Sequence, residues 1–293
     1  MMSLIALLGA LEIGLVFALV ALGVYLSFRV LQFPDLTVDG SFPLGAAVAA
    51  ILIVNHVNPW LATATAALAG ALAGLTTAWL NLRLGILNLL ASILTMIALY
   101  SINLRIMGRP NVALLGENTV LSPLQDLALP VYVTTPLAFA LAVLLIKALL
   151  DRFLNSELGL ALRATGANPR MARAQGIHTG QATYLGMALS NALVALAGAL
   201  FAQSQGSADV TMGVGVIVVG LAAVIGGEAL LNPRTVAWAT AACVFGSLLY
   251  RLIVALALNA DFLGLQAQDL NLITAALVAA ALVLPRLRAG KTP

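Results

Sequence analysis

Charge is scarce in this chain. Only 9% of its residues are Asp, Glu, Lys or Arg, against roughly 25% in soluble domains. No polar stretch exceeds about thirty residues, so a separate soluble domain is excluded. The single cysteine, Cys243, lies in an apolar run and has no partner for an internal disulfide; it reads as a small core residue. Histidine is nearly absent. His56 and His178 stand far apart without clustered carboxylates or thiols, which excludes a recognisable metal site and a Ser-His-Asp constellation. With no catalytic chemistry legible, the expectation is a chain that is not an enzyme and binds no cofactor. Aromatic residues make up 6%, and Trp60, Trp79 and Trp238 fall near segment ends, as interfacial anchors do.

What the chain does contain is hydrophobic sequence, 62% of all residues, with a mean hydropathy of +1.05. About nine apolar segments are legible, near 4–28, 41–55, 60–82, 84–107, 130–150, 181–203, 211–229, 235–258 and 270–285. A crossing helix needs about 20 apolar residues, so the second and seventh segments are short for full spans. The expected fold class is an all-α, polytopic membrane protein of about eight or nine segments forming one transmembrane domain over 1–293. The first run lacks a basic flank and is long enough to span, so it reads as a helix and not as a cleaved leader.

The net charge of +3 comes from 14 Lys and Arg against 11 Asp and Glu. In a membrane protein such an excess sets topology and does not signal nucleic-acid binding. With the N-terminus outside, Arg29, Arg83, Lys147, Arg152, Arg163, Arg170, Arg173, Arg234, Arg286, Arg288 and Lys291 all fall inside. Only Arg105 and Arg109 fall outside, and Arg251 lies within a segment. The positive-inside rule therefore predicts N-out and C-in. On that topology an outer loop near 108–129, carrying Glu117 and Asp126, holds a short surface helix, and a longer basic loop near 151–180 lies inside.

One stretch interrupts the apolar pattern, Phe33-Pro-Asp-Leu-Thr-Val-Asp-Gly-Ser-Phe-Pro43. Two prolines and a glycine argue against an ordinary helix there. Broken backbone and ionisable groups at membrane depth occur where they are buried in protein or line a watery cavity. Asp35, Thr37, Asp39, Ser41 and Phe42 are therefore the first candidates for a gate or pathway. For Asp35, and for Asp209 farther along, the other reading is that both merely cap helices at the membrane surface. The halves also match at an offset of about 174 residues. Ala18-Leu-Val-Ala-Leu22 recurs as Ala192-Leu-Val-Ala-Leu196, and Asp35-Leu-Thr37 recurs as Asp209-Val-Thr211. On the N-out topology the copies run in opposite directions. The expectation is an inverted repeat with two broken helices, halves about 4–150 and 181–285, a pattern that transport folds use. On the fourth segment Asn88, Ser92, Thr95 and Asn103 recur at near-helical spacing, as path-lining or interhelical bonding groups. Glu12 and Arg251 lie inside apolar runs. Glu12 either pairs within the bundle or faces a cavity, and Arg251 either snorkels or pairs with Glu12 or Asp261.

The inner loop reads as two short helices around a Gly-Ala-Asn-Pro turn, with Ser156 capping the first, Asn168 the second, and Pro169 at the first helical position. Its apolar Leu158, Leu162, Met171 and Ala174 sit among arginines, as in a helix that enters a partner's groove. Gly290-Lys291-Thr292 mimics the end of a phosphate loop, but the motif's first glycine would fall at Pro285 and no helix follows. It reads as a basic tail.

This loop resembles the coupling region of permease subunits of ABC importers in the branched-chain amino acid and ribose-type group. The pattern G-x-A-[LIM]-R-A-x-[GA]-x-[ND]-P-x-x-A-x-x-x-G-I is met by Gly159, Ala161, Leu162, Arg163, Ala164, Gly166, Asn168, Pro169, Ala172, Gly176 and Ile177. The likeness extends over nearly the whole chain. The break at 33–42 departs from the Asn-Phe-Ala-His-Gly-like stretch of branched-chain permeases. It is similar to a sister subgroup, some members of which are linked to uptake of tryptophan and tyrosine. The resemblance implies a multi-pass subunit of the bacterial cytoplasmic (inner) membrane, embedded in lipid, that imports a small polar solute, an amino acid first of all. It implies a second permease copy, a cytoplasmic ATPase dimer that binds ATP and Mg, and an extracytoplasmic substrate-binding protein. Glu157 and the motif residues would transmit the ATPase stroke. Asp209 and Thr211 would be the repeat mates of the first break. An ion-driven secondary transporter and an importer for a sugar or nucleoside are the alternatives.

Overall fold

In a computed structural model of the protein, residues 4–125 and 130–258 are described. The expected segment near 270–285, Asp126, Asp261, the basic residues from Arg286 onward and Gly290-Lys291-Thr292 lie outside the described residues. The first segment is α1 (Leu4–Val24), which continues as a π-helical turn over Tyr25–Val30. After a non-helical stretch come α2 (Val38–Val54), α3 (Pro59–Leu84) and α4 (Asn88–Met107). Next are a three-residue strand β1 (Asn111–Ala113), a one-turn α5 (Ser122–Gln125) and α6 (Val131–Leu154). The basic loop forms α7 (Glu157–Ala167) and α8 (Pro169–Ala174). Then follow α9 (Thr179–Gln205), β2 (Ser207–Asp209), α10 (Val216–Leu231) and α11 (Val236–Leu258).

Among the described residues six helices are long and apolar enough to cross a membrane, and α2 and α10 are the shorter apolar ones. The fold is thus the expected helical, polytopic one. Its one addition is a small antiparallel ribbon in which Asn111 pairs with Asp209 and Ala113 with Ser207.

Two boundaries differ from the sequence reading. Only the residues between the π-helical turn and α2 are non-helical, and α2 already begins at Val38. Gly40 and Pro43 are inside the helix: Pro43 removes one rung, and the early amides of Gly40 and Ser41 bond back to the Thr37 carbonyl. In the second half, α10 begins at Val216 after a run of turns, with Gly215 left-handed at φ 81°.

Helix α9 runs through the centre, against α1, α2 and α3. Small residues allow this. A Cβ on Gly45 of α2 would fall 1.9 Å from the Ala195 carbonyl oxygen, and one on Gly198 of α9 would fall 1.9 Å from that of Phe42. Without a strong hydrophobic drive between helices in lipid, such backbone contact is the main source of helix packing. By contrast α4 presents Leu90, Leu94 and Ile97 outward, all more than two-fifths exposed.

Candidate functional site

The first break closes on a buried polar network. Asp35, Thr37 and Ser41 are fully buried. One Asp35 oxygen accepts the Thr37 amide at 2.9 Å, a side-chain turn that organises the chain just before α2. The other accepts the Asn191 side-chain amide of α9 at 2.8 Å, and the Asn191 oxygen accepts the Ser41 hydroxyl at 2.7 Å. The Thr37 and Thr77 hydroxyls lie 2.7 Å apart, which adds α3 to the network. A buried carboxylate is costly unless hydrogen-bonded; here the Thr37 backbone amide and the Asn191 side chain of α9 hold it.

Asp39 does something else. Its carboxylate accepts the amides of Ile217 at 2.7 Å and Gly215 at 3.2 Å, so a residue of the first broken helix caps the second. Gly213 sits so close that a Cβ there would lie 2.0 Å from the Asp39 carbonyl oxygen, whose usual donor within α2 is replaced by Pro43. The two breaks therefore meet. Asp39 is thus a helix cap, and the helix it caps is the distant one.

Phe42 is fully buried between Phe17 and Phe201, with ring centroids 5.7 and 5.6 Å away. Arg251 lies over Phe17 at 4.3 Å, and its Nε has no hydrogen-bond partner. Glu12 accepts the Ser204 hydroxyl. Among the described residues Arg251 thus uses an aromatic face, not a carboxylate.

Asp209 and Thr211 do not join Asp35. They repeat its local turn, with the Thr211 amide donating to Asp209 at 2.8 Å, but at the partly exposed ribbon. There the Thr211 hydroxyl, then its amide, hold the Asp209 carboxyl below the usual range. On α4, Asn88 bonds Asn81 at 2.6 Å, whereas Ser92 and Thr95 bond their own helix backbone. Asn103 reaches the Gly40 carbonyl at 3.2 Å, and its own side-chain oxygen is buried without a partner. Sequence reading missed Asn191, the hub of the network. A lone amide beside Ser190 in the middle of an apolar run was the available signal.

The basic loop has the expected form. The Ser156 hydroxyl accepts the Gly159 amide, and the Asn168 oxygen accepts those of Arg170 and Met171 at 3.1 Å. Glu157, Arg163, Asn168, Pro169 and Gly176 are exposed, whereas Gly159, Gly166 and Ala172 are buried and Ala164 and Ile177 partly so. A Cβ on Gly166 would fall 1.8 Å from the Val30 carbonyl oxygen. Helix α7 thus rests directly on the π-helical turn that leads, five residues on, to Asp35. At the same end Arg29 pairs with Glu228 of α10.

Residues 6–284 match the family described as branched-chain amino acid transport system, permease component. The chain is 38% identical over 268 residues to a tyrosine transport system permease protein of Clostridioides difficile (strain R20291), covering 91% of this chain and 87% of that one. Among solved structures, PsaBC from Streptococcus pneumoniae in complex with Fab aligns over 94% of this chain and 89% of its own, with a TM-score of 0.53 at 16% identity. A proposed metal-chelate type ABC transporter in an inward-facing conformation aligns over 99% and 88%, with a TM-score of 0.50 at 19% identity. At these identities the two structures speak for the fold alone.

Proposed function

The chain belongs to the permease component family of branched-chain amino acid transport systems, membrane subunits of ABC transporters, and from that premise we propose that it imports an amino acid, tyrosine or a similar aromatic one. The substrate class is taken from the relative in Clostridioides difficile. The chain is the pathway subunit and not a catalyst. ATP and Mg belong to a separate cytoplasmic ATPase dimer, a substrate-binding protein delivers the solute outside, and a second permease copy completes the pathway. The N-terminus lies outside, and the halves form an inverted repeat, which the twin Asp-x-Thr turns support.

The observation that carries this reading is the hairpin of α7 and α8. It is exposed on its outer side, and Gly166 seats it against Val30. A push on α7 reaches the π-helical turn, then the Asp35–Asn191 network and the Asp39 clasp between the broken helices. Asp35, Thr37, Asp39, Ser41 and Phe42 form the gate on this view; Asn88, Ser92 and Thr95 face the pathway from α4, and Asp209 and Thr211 lie at its outer end. An ion-driven carrier has no use for such a hairpin.

Purification from the native host tests the proposal. The wild type is expected to retain an ATPase, and Arg163→Glu and Gly166→Leu each to lose it, while the purified importer takes up labelled tyrosine only with ATP. Uptake by the lone chain, driven by an ion gradient, would overturn the assignment.

A further inference from the structure

Two adjoining cavities lie where α3 ends and α9 begins. The first, of about 510 Å³, is lined by Arg83 from the last turn of α3, Arg173 from α8, and His178, Gln181 and Tyr184 around the start of α9. Among the described residues no acidic one lines it. His178 precedes α9 without supplying a side-chain cap. The second cavity, of about 770 Å³, shares Arg83 and Tyr184 and continues along α3 past Trp79, Thr76, Leu75 and Leu72. Leu72 and Trp79 are 64% and 47% exposed, on a helix that is long and apolar enough to cross a membrane.

The pair of cavities is amphipathic along one line. Basic and amide side chains gather at the end of α3, and an apolar trough leads from them along the helix. From Arg83 to Leu72 the helix advances roughly 16 Å at about 1.5 Å per residue. That is about half of a hydrocarbon core roughly 30 Å thick, the depth of one leaflet. Trp79 and Tyr184 occupy the level between head and tail, where amphipathic rings settle.

We propose that this site binds a phospholipid with an anionic headgroup, its phosphate held by Arg83 and Arg173 and one acyl chain lying in the trough. Basic pockets between helices at the cytoplasmic side take such headgroups. Placement in the inner leaflet rests on the orientation proposed above; the binding itself does not, and neither does it depend on the transported solute. Because Arg173 belongs to α8, the bound lipid also steadies the hairpin that faces the ATPase.

Native mass spectrometry of the purified full chain tests this, with phosphatidylglycerol and phosphatidylcholine of identical acyl chains as probes. Phosphatidylglycerol is expected to be retained preferentially. Arg83→Gln and Arg173→Gln are each expected to weaken it on the order of fivefold, from about 1 kcal/mol per basic group. Arg234→Gln, outside the cavity, leaves it unchanged, and soluble glycerol phosphate does not displace it. Should either arginine variant not fold, Gln181→Glu, which sets a negative charge at the head, gives the same readout. Equal retention of the two lipids, or wild-type retention by the arginine variants, overturns the proposal. So does displacement by glycerol phosphate, which would mark a free-phosphate site. Loss of ATPase or of a second permease copy in those variants with lipid retention intact also overturns it, and assigns the surface to that subunit.

Discussion

At the residue scale, the decisive side chain is Asp39. Its carboxylate spans two amides of a helix more than 170 positions later. Replacing a capping side chain by alanine costs about 0.5–2 kcal/mol. Asp39→Ala is therefore expected to lower the melting temperature of the purified protein by several degrees, and Asp39→Asn, which keeps one acceptor, by less. Scanning fluorimetry in detergent reads both; an unchanged Asp39→Ala would mean that the clasp is not holding α10. The residues themselves were legible in the sequence, because carboxylates and hydroxyls stand out in an apolar chain. Their partners were not. Nothing local says that Asp35 is held by Asn191 or that Asp39 caps the other half, since both contacts depend on how α9 and α10 come back past α2. Arg251 shows the same limit: the sequence points to snorkelling or to Glu12 or Asp261 as a partner, and among the described residues it is the Phe17 ring that packs against it.

At the element scale, helix packing here depends on whether a backbone can approach, and neighbouring positions of α10 separate that effect from helix propensity. A Cβ on Gly227 would fall 1.9 Å from the Ala242 carbonyl oxygen of α11, whereas at Gly226 nothing lies within 4 Å. Alanine favours a helix interior over glycine by about 1 kcal/mol. Gly226→Ala is thus expected to be neutral or stabilising. Gly227→Ala is expected to push α10 from α11 and to reduce the yield of monodisperse protein, read by size-exclusion chromatography. Equal behaviour of the two variants would contradict the packing described. Helix lengths were legible to within a few residues, because the period of apolar residues and the flanking Gly and Pro mark them. The start of α2 was not, because Pro43 reads locally as a breaker. In the fold its missing amide leaves the Asp39 carbonyl beside Gly213, a neighbour from the other half.

At the scale of the whole molecule, the distribution of basic residues predicts a direction. Arg29 and Glu228 meet at the end that also carries α7 and α8, and the β1–β2 ribbon lies at the opposite end. If the positive-inside rule holds, the ribbon and Glu117 face outward, and the hairpin faces the cytoplasm. Cys243 is fully buried, so Cys243→Ala provides a background in which a new cysteine is the reporter. In intact cells a membrane-impermeant maleimide is expected to label Glu117→Cys at once and Arg170→Cys only after permeabilisation. Arg170 is exposed and Glu117 only partly so, so labelling of Glu117→Cys ahead of Arg170→Cys reports sidedness and not burial. The reverse pattern would turn the molecule over, move the hairpin away from any cytoplasmic ATPase, and take the proposed coupling path with it. The expected pattern places the α7–α8 hairpin, the proposed coupling element, on the side where ATP is available.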